Sequence, residues 1–230
     1  LHGANLIAAL KQKDATSQFR AWGGNKMQNQ GAQIVKHYKH LAFMGFWEVV
    51  KNLRTILSYI AFCKKDILSF KPDALILIDY PGFNMRIAKW ASALGIPVHY
   101  YIMPQVWAWK ENRVNKLGKH TNYRYAILPF EVDFFEQKHK LSIDFVGHPL
   151  IDELTAIPKL DAGALIKQLN LSINEKIIAL LPGSRKQEIS KILGVMTTVI
   201  NSFPNYRFVI AGTSNIDQSL YQQLAPNVDI

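Results

Sequence analysis

Short apolar runs separated by amphipathic stretches set the rhythm of this chain. They are ALILID (74–79), PVHYYI (97–102), RYAILP (124–129), IDFV (143–146), IIALL (177–181) and RFVIA (207–211). Most are apolar throughout rather than alternating, which predicts parallel strands buried on both faces. Between them lie helical patterns such as NMRIAKWASALG (84–95), with Asn84 as a cap, Gly95 as a stop and Pro97 forbidding continuation. Strand and helix alternating in this order predict an α/β fold with a doubly wound parallel sheet.

LTAIPKLDAGALIKQLNLSINEK (154–176) reads as a connector carrying one helix, after which the β/α style resumes at 177. Two Rossmann-like domains are therefore expected, over 1–160 and 161–230, the second incomplete because only two of its strands precede Ile230. The opening LHGANLIAALKQ reads as a helix already under way, so a further segment is expected upstream.

The greasiest region, LAFMGFWEVVKNLRTILSYIAF (41–62), is interrupted by Glu48, Lys51 and Arg54 where a membrane span would be charge-free. Val49, Val50, Leu53, Ile56, Leu57 and Ile60 recur at helical spacing, so the segment predicts an amphipathic helix facing either the core or a membrane surface. Phe43, Met44, Phe46 and Trp47, with Val50, form an apolar cluster beside Lys36, His37, Lys39 and His40, a combination suited to anionic lipid.

Composition narrows the classes. An apolar fraction of 49% over 230 residues supports a substantial core and excludes a disordered tail. The balance of 27 Lys and Arg against 17 Asp and Glu, a formal charge of +10, favours an anionic partner such as nucleotide phosphate or acidic headgroups. Nucleic acid is disfavoured, because the basic residues are spread out and no recognition motif occurs. A single cysteine, Cys63, excludes an internal disulfide and reads as a buried filler in a reducing compartment.

In an open parallel sheet ligands bind beyond the carboxyl ends of the strands. Here those positions read DYPGFN (79–84), MPQVWAWK (103–110), PFE (129–131), GHP (147–149), PGSRKQE (182–188) and AGTSN (211–215). In IIALLPGSRKQEI a strand ends, Pro182 and Gly183 turn the chain, and a helix starts near Ser184 with Glu188 in its early turns. Free N–H groups there and the fork of Arg185 suit a phosphate, although a capped turn has the same pattern, and the Gly-Lys-Ser/Thr ending of a Walker loop is missing. Asp79, following LILI, is either a general base for an attacking hydroxyl or a loop residue ordering the Pro81-Gly82 turn. His148 and His2 are each either acid candidates or satisfied locally. Trp107 and Trp109, with Lys110, Arg113 and Lys116, either wall a cleft for sugar and phosphate or pack a long loop.

LHGANL, MGFWEVV, IDYPGFN, YYIMPQVWAWKENRV, LPFE, FVGHPLIDEL and LLPGSRKQEI occur in the order of the lipid-A-disaccharide synthase family, which the chain resembles over nearly its whole length. The resemblance implies a GT-B glycosyltransferase fold of two Rossmann-like domains, the first for the acceptor and facing the membrane, the second for the UDP-sugar. It implies inverting transfer from UDP-2,3-diacylglucosamine to 2,3-diacylglucosamine 1-phosphate, giving the β-1,6 lipid A disaccharide 1-phosphate and UDP. No cofactor is implied, and no metal-ligand spacing is seen. The implied location is cytoplasmic, on the lipids of the inner face of the inner membrane, with a homodimer as a further partner state. Position by position, Asp79 matches the essential acidic residue and His2 a group near the substrates, both taken as catalytic. Gly3, Asn84, Gln105, Trp107, Trp109, Arg113 and His148 fall in the implied acceptor half, and Gly183, Ser184, Arg185 and Glu188 at the donor diphosphate. Gly82 stands where many members carry a second Asp. A Gly-Glu-Ala-Ser-Gly-Asp segment is expected before Leu1 and most of the donor domain after Ile230. The alternatives are a silent lipid-binding fragment and another GT-B UDP-sugar enzyme.

Overall fold

A computed structural model describes residues 1–38, 53–157, 161–168, 170, 172 and 175–230. The chain divides into two compact units, Leu1–Ala156 and Ile157–Ile230.

Unit 1 runs α1 (His2–Lys13), β1 (Arg20–Gly23), α2 (Asn25–Asn29), β2 (Gln33–His37), α3 (Leu53–Phe70), β3 (Leu75–Ile78), α4 (Pro81–Ala93), β4 (Val98–Tyr101), α5 (Val114–His120), β5 (Tyr123–Ala126), α6 (Pro129–Val132), β6 (Asp144–Phe145) and α7 (Pro149–Ala156). Strands β3, β4, β5 and β6 are hydrogen-bonded side by side in that order, all parallel, and β1 pairs in parallel with β2. The β1–β2 pair went unread in the sequence. RAWG and QIVKH lack an apolar run, and only their parallel pairing from Arg20↔Gln33 to Gly23↔His37 marks them as strands.

The core of unit 1 lies on one face of this sheet. Ile60, Cys63 and Ile67 of α3, Ile87, Ala88 and Ala91 of α4, and Leu117 of α5 pack onto Leu77, Val98, Tyr100 and Ala126. The buried stripe of α3 therefore runs through Ile56, Ile60, Cys63 and Ile67, whereas Leu57, expected in the stripe, is 53% exposed. Burial pushes the Cys63 thiol up to about 12, which leaves it protonated and inert. The expectation that both strand faces are equally buried does not hold among the described residues. Val98 and Tyr100 are fully buried, but on the other face His99 stacks on Tyr123, centroids 4.4 Å apart, with Tyr123 half exposed. Aromatic and imidazole rings tolerate that half-wet position because one edge is polar. The aromatic cluster Phe43, Met44, Phe46, Trp47 and Val50 lies outside the described residues, as do Val49, Lys39 and His40.

Unit 2 contains α8 (Ala162–Gln168), β7 (Lys176–Leu180), α9 (Lys186–Thr197), β8 (Tyr206–Ile210) and α10 (Gln218–Leu224). The two strands pair in parallel from Lys176↔Tyr206 to Leu180↔Ile210. Their core is Leu180, Ile189, Leu193, Phe208, Ile210 and Tyr221. Among the described residues no helix is long and apolar enough to cross a membrane.

Candidate active site

The ladder between β3 and β4 ends where the Asp79 N–H donates to the Tyr101 carbonyl, at 3.1 Å. There the chain turns into α4 through two L-residues in the left-handed region, Asp79 at φ 47° and Tyr80 at φ 45°. Such conformations cost on the order of 1–3 kcal/mol each and persist only where surroundings enforce them. Two side chains do so here. The Tyr100 hydroxyl donates to the Asp79 carbonyl at 2.8 Å, and the Asn84 amide donates to the same oxygen at 2.6 Å and to the Ile78 carbonyl at 3.1 Å. Burial, reinforced by the Asp79 charge, raises the Tyr100 pKa, so the hydroxyl stays a donor. This corrects the expected cap: α4 starts at Pro81 with Tyr80 before it, and Asn84, a turn inside, braces the bend instead. The Asp79 side chain is left exposed at the carboxyl end of β3.

Strand β4 ends with a second outlier, Ile102 at φ 57°, and the following loop contains a third position, Lys110, also at 57°. A β-branched residue at positive φ is a genuine exception. Met103 and Val106, at 3% and 1% exposure, anchor this loop in the core while Gln105 and Trp109 stay outside. The Trp109 ring carries Lys110 Nζ at 4.5 Å from its centroid and the Arg113 guanidinium at 5.3 Å.

Asp79, Gln105, Trp109, Arg113, Ile102 and Glu131 line one cavity of about 310 Å³, closed by Pro81, Met103, Pro104, Val106, Ile127 and Leu128. Glu131 is 1% exposed. Its Oε2 accepts the N–H groups of Ile127 and Leu128 at 3.1 and 3.0 Å, and its Oε1 faces the Trp107 indole N–H at 3.4 Å. Trp107 sits edge-on to Phe130, centroids 4.9 Å apart.

His2 opens α1. Its pKa is lowered, first by burial and also by the His148 charge, while Glu153 and Asp79 act in the opposite direction. Its buried Nδ1 has no hydrogen-bond partner among the described residues. Gly3 lets α1 come against α2, since a Cβ there would stand 3.0 Å from the Met27 Cε, closer than ordinary contact. His148 Nδ1 accepts the Leu150 N–H at 3.2 Å, a local backbone role.

In unit 2, β7 ends at Leu180, buried Pro182 follows, Gly183 turns at φ 107°, and α9 begins at Lys186 with Arg185 as its N-cap, two residues later than the expected start at Ser184. Glu188 closes this turn on itself. Its Oε1 takes the Arg185 guanidinium at 2.6 Å and its Oε2 the Ser184 N–H at 3.4 Å.

The family model described as lipid-A-disaccharide synthetase matches residues 1–225. The chain belongs to the lipid-A-disaccharide synthetase family. Lipid-A-disaccharide synthases of Trichlorobacter lovleyi and Coxiella burnetii are 35% and 34% identical to it over 98% and 94% of this chain. That of Syntrophus aciditrophicus is 38% identical over 85%. The chain spans 58%, 58% and 50% of these three relatives. Among solved structures, UDP-GlcNAc 2-epimerase from Neisseria meningitidis bound to UDP-GlcNAc is similar at TM-score 0.63 and 16% identity, covering 99% of this chain and 67% of that one. A co-structure of S. aureus MnaA with UDP gives TM-score 0.66 at 12% identity, covering 99% of this chain and 63% of that one. These likenesses show a GT-B-like α/β fold of parallel sheets.

Within this family member the structure brings Asp79, Gln105, Trp109 and Arg113 to one cavity, with His2 electrostatically linked to Asp79. It leaves Trp107 outside the cavity lining, and Lys116 acts on His120. Glu131 and Tyr100 were missed. LPFE displays a carboxylate after a strand but nothing in it says that the side chain folds inward, and Tyr100 lies in the middle of an apolar run.

Proposed function

We propose that the protein carrying this chain is an inverting glycosyltransferase that joins UDP-2,3-diacylglucosamine to 2,3-diacylglucosamine 1-phosphate. Unit 1 takes the acceptor and unit 2 the UDP-sugar. Asp79 removes the proton of the acceptor 6-hydroxyl, whose oxygen attacks the anomeric carbon of the donor. The bond from that carbon to the diphosphate breaks, UDP leaves with the electron pair, and the product is the β-1,6 lipid A disaccharide 1-phosphate. Arg113 over Trp109 supplies charge and a flat apolar face for the acceptor, and Gly183, Ser184 and Arg185 stabilise the leaving diphosphate. Phosphate binding there requires Arg185 to leave Glu188. Gln105 borders the acceptor, and so do Gly3, His148 and His2, the last within the field of Asp79. Work on the inner face of the inner membrane follows from acylated substrates and the +10 charge, with Phe43, Met44, Phe46, Trp47 and Val50 meeting the lipid. A homodimer is part of the same reading.

The observation that carries this reading is the carboxylate of Asp79, presented at a cavity mouth by a strained turn that Tyr100 and Asn84 hold in place. Mass spectrometry of the tetra-acyl disaccharide 1-phosphate formed from both diacyl sugars tests it. Asp79→Asn should lower product formation about 10²–10⁴-fold. Equal product from parent and variant would remove Asp79 from the chemistry.

A further inference from the structure

A carboxylate at 1% exposure is costly to hold unless its lone pairs are used. Glu131 uses one oxygen well. Two backbone N–H groups fix Oε2, and this orients the whole side chain. Oε1 has only the Trp107 indole at 3.4 Å, the outer limit of a hydrogen bond, and none of the ion pairs among the described residues involves Glu131. That oxygen belongs to a residue lining the same cavity as Asp79, Trp109 and Arg113. A carboxylate accepts and does not donate, so its natural partner in a sugar site is a hydroxyl.

We propose that Glu131 is a specificity-determining residue, whose Oε1 accepts a hydrogen bond from the acceptor 4-hydroxyl. The inference rests on the reading that 2,3-diacylglucosamine 1-phosphate enters this cavity. Acylation at positions 2 and 3 and phosphorylation at position 1 leave that sugar two free hydroxyls. The 6-hydroxyl is the one Asp79 deprotonates, which leaves the 4-hydroxyl for Glu131. Carboxylates of Glu131 and Asp79 engaging the 4- and 6-hydroxyls, on either side of C5, would set the ring's rotation, so that position 6 meets the base and position 4 does not.

Glu131→Gln tests this with little cost to the fold. The Ile127 and Leu128 N–H groups require an acceptor, so the glutamine oxygen must turn toward them and its NH₂, which cannot accept, takes the place of Oε1. Calorimetric titration in detergent micelles should compare 2,3-diacylglucosamine 1-phosphate with its 4-deoxy analogue, for the chain, Glu131→Gln and Trp109→Ala. The parent should bind the 4-deoxy sugar about tenfold or more weakly, and Glu131→Gln should bind both sugars alike at that weaker level. Its melting temperature should stay within about 2 °C of the parent, which separates lost recognition from lost structure. A parent that does not distinguish the two sugars, or a Glu131→Gln variant that still does, overturns the inference. If Trp109→Ala weakens both sugars while Glu131→Gln still discriminates, the cavity remains the acceptor site and only the role of Glu131 falls. If neither variant changes either affinity, the acceptor reading of the cavity falls with it.

Discussion

After β3 the chain enters α4 through Asp79 and Tyr80 at φ 47° and 45°, whereas after β7 it enters α9 through Gly183 at φ 107°. Both turns leave the carboxyl end of a parallel strand, and both need backbone in a region that L-residues avoid. The second turn meets the need with glycine, at no steric cost, and so requires no outside support. The first places an aspartate there and depends on tertiary clamps, the Tyr100 hydroxyl and the Asn84 amide, both on the Asp79 carbonyl. In the proposed function, glycine suits a turn that offers backbone N–H groups and a neighbouring arginine. A turn that must present a carboxylate cannot use glycine, so the strain is accepted and held by the surrounding fold.

The comparison breaks most visibly at Asp79. Asp79→Gly should abolish glycosyl transfer yet raise the stability of unit 1 by up to about 1 kcal/mol, because glycine relieves the positive φ. A fall in melting temperature would mean that the side chain, not the conformation, holds the turn. At the other turn the sign reverses. Gly183→Ala should destabilise unit 2 by about 1–3 kcal/mol, read by denaturant unfolding. Its Cβ would stand 2.8 Å from Glu188 Oε2 as well as forcing an L-residue to φ 107°. Removing one clamp is milder. Tyr100→Phe should cost about 1 kcal/mol, a melting shift of roughly 2–4 °C, since Asn84 still holds the carbonyl. No shift would show that Asn84 suffices alone. Gly82 offers the smallest mutational effect. A Cβ there meets nothing within 4 Å, so Gly82→Ala in α4 should stabilise by about 0.5–1 kcal/mol in the same unfolding assay.

Stability should also depend on pH through the histidines of unit 1. Burial lowers His2, His99 and His120 below the ordinary value of 6.5. Between those lowered values and 6.5 the unfolded chain binds more protons than the folded one, so stability falls as pH drops through this window. Thermal melts between about pH 7.5 and 5.5 should show the decline, and His99→Gln should flatten part of it.

The apolar runs marked the six strands of the two main sheets to within one residue at each end, except that RYAILP runs three residues past the end of β5 at Ala126. Buried parallel strands are written in composition, and β3 and β4 lie inside the runs ALILID and PVHYYI. The β1–β2 pair was illegible because Arg20, Gln33, Lys36 and His37 break RAWG and QIVKH, so neither shows a run of apolar side chains. Family motifs pointed to Asp79, Trp109 and Arg113, but not to what holds them. Asn84 looked like a helix cap because it sits at the edge of the pattern. The helix reaches back to Pro81 because proline's fixed φ suits a first helical position.

Local sequence by itself determined where the strands of the two main sheets form, the single-cysteine and basic character of the chain, and which loops follow those strands. Those properties depend on side-chain polarity and on backbone restrictions at proline and glycine, which act over a few residues. Tertiary structure alone decided that the Tyr100 hydroxyl reaches the Asp79 carbonyl, 21 positions away, and that buried Glu131 lines one cavity with Trp109 while Trp107 packs on Phe130. Each of those depends on distances between elements set by core packing, and no pattern confined to one element encodes such a distance.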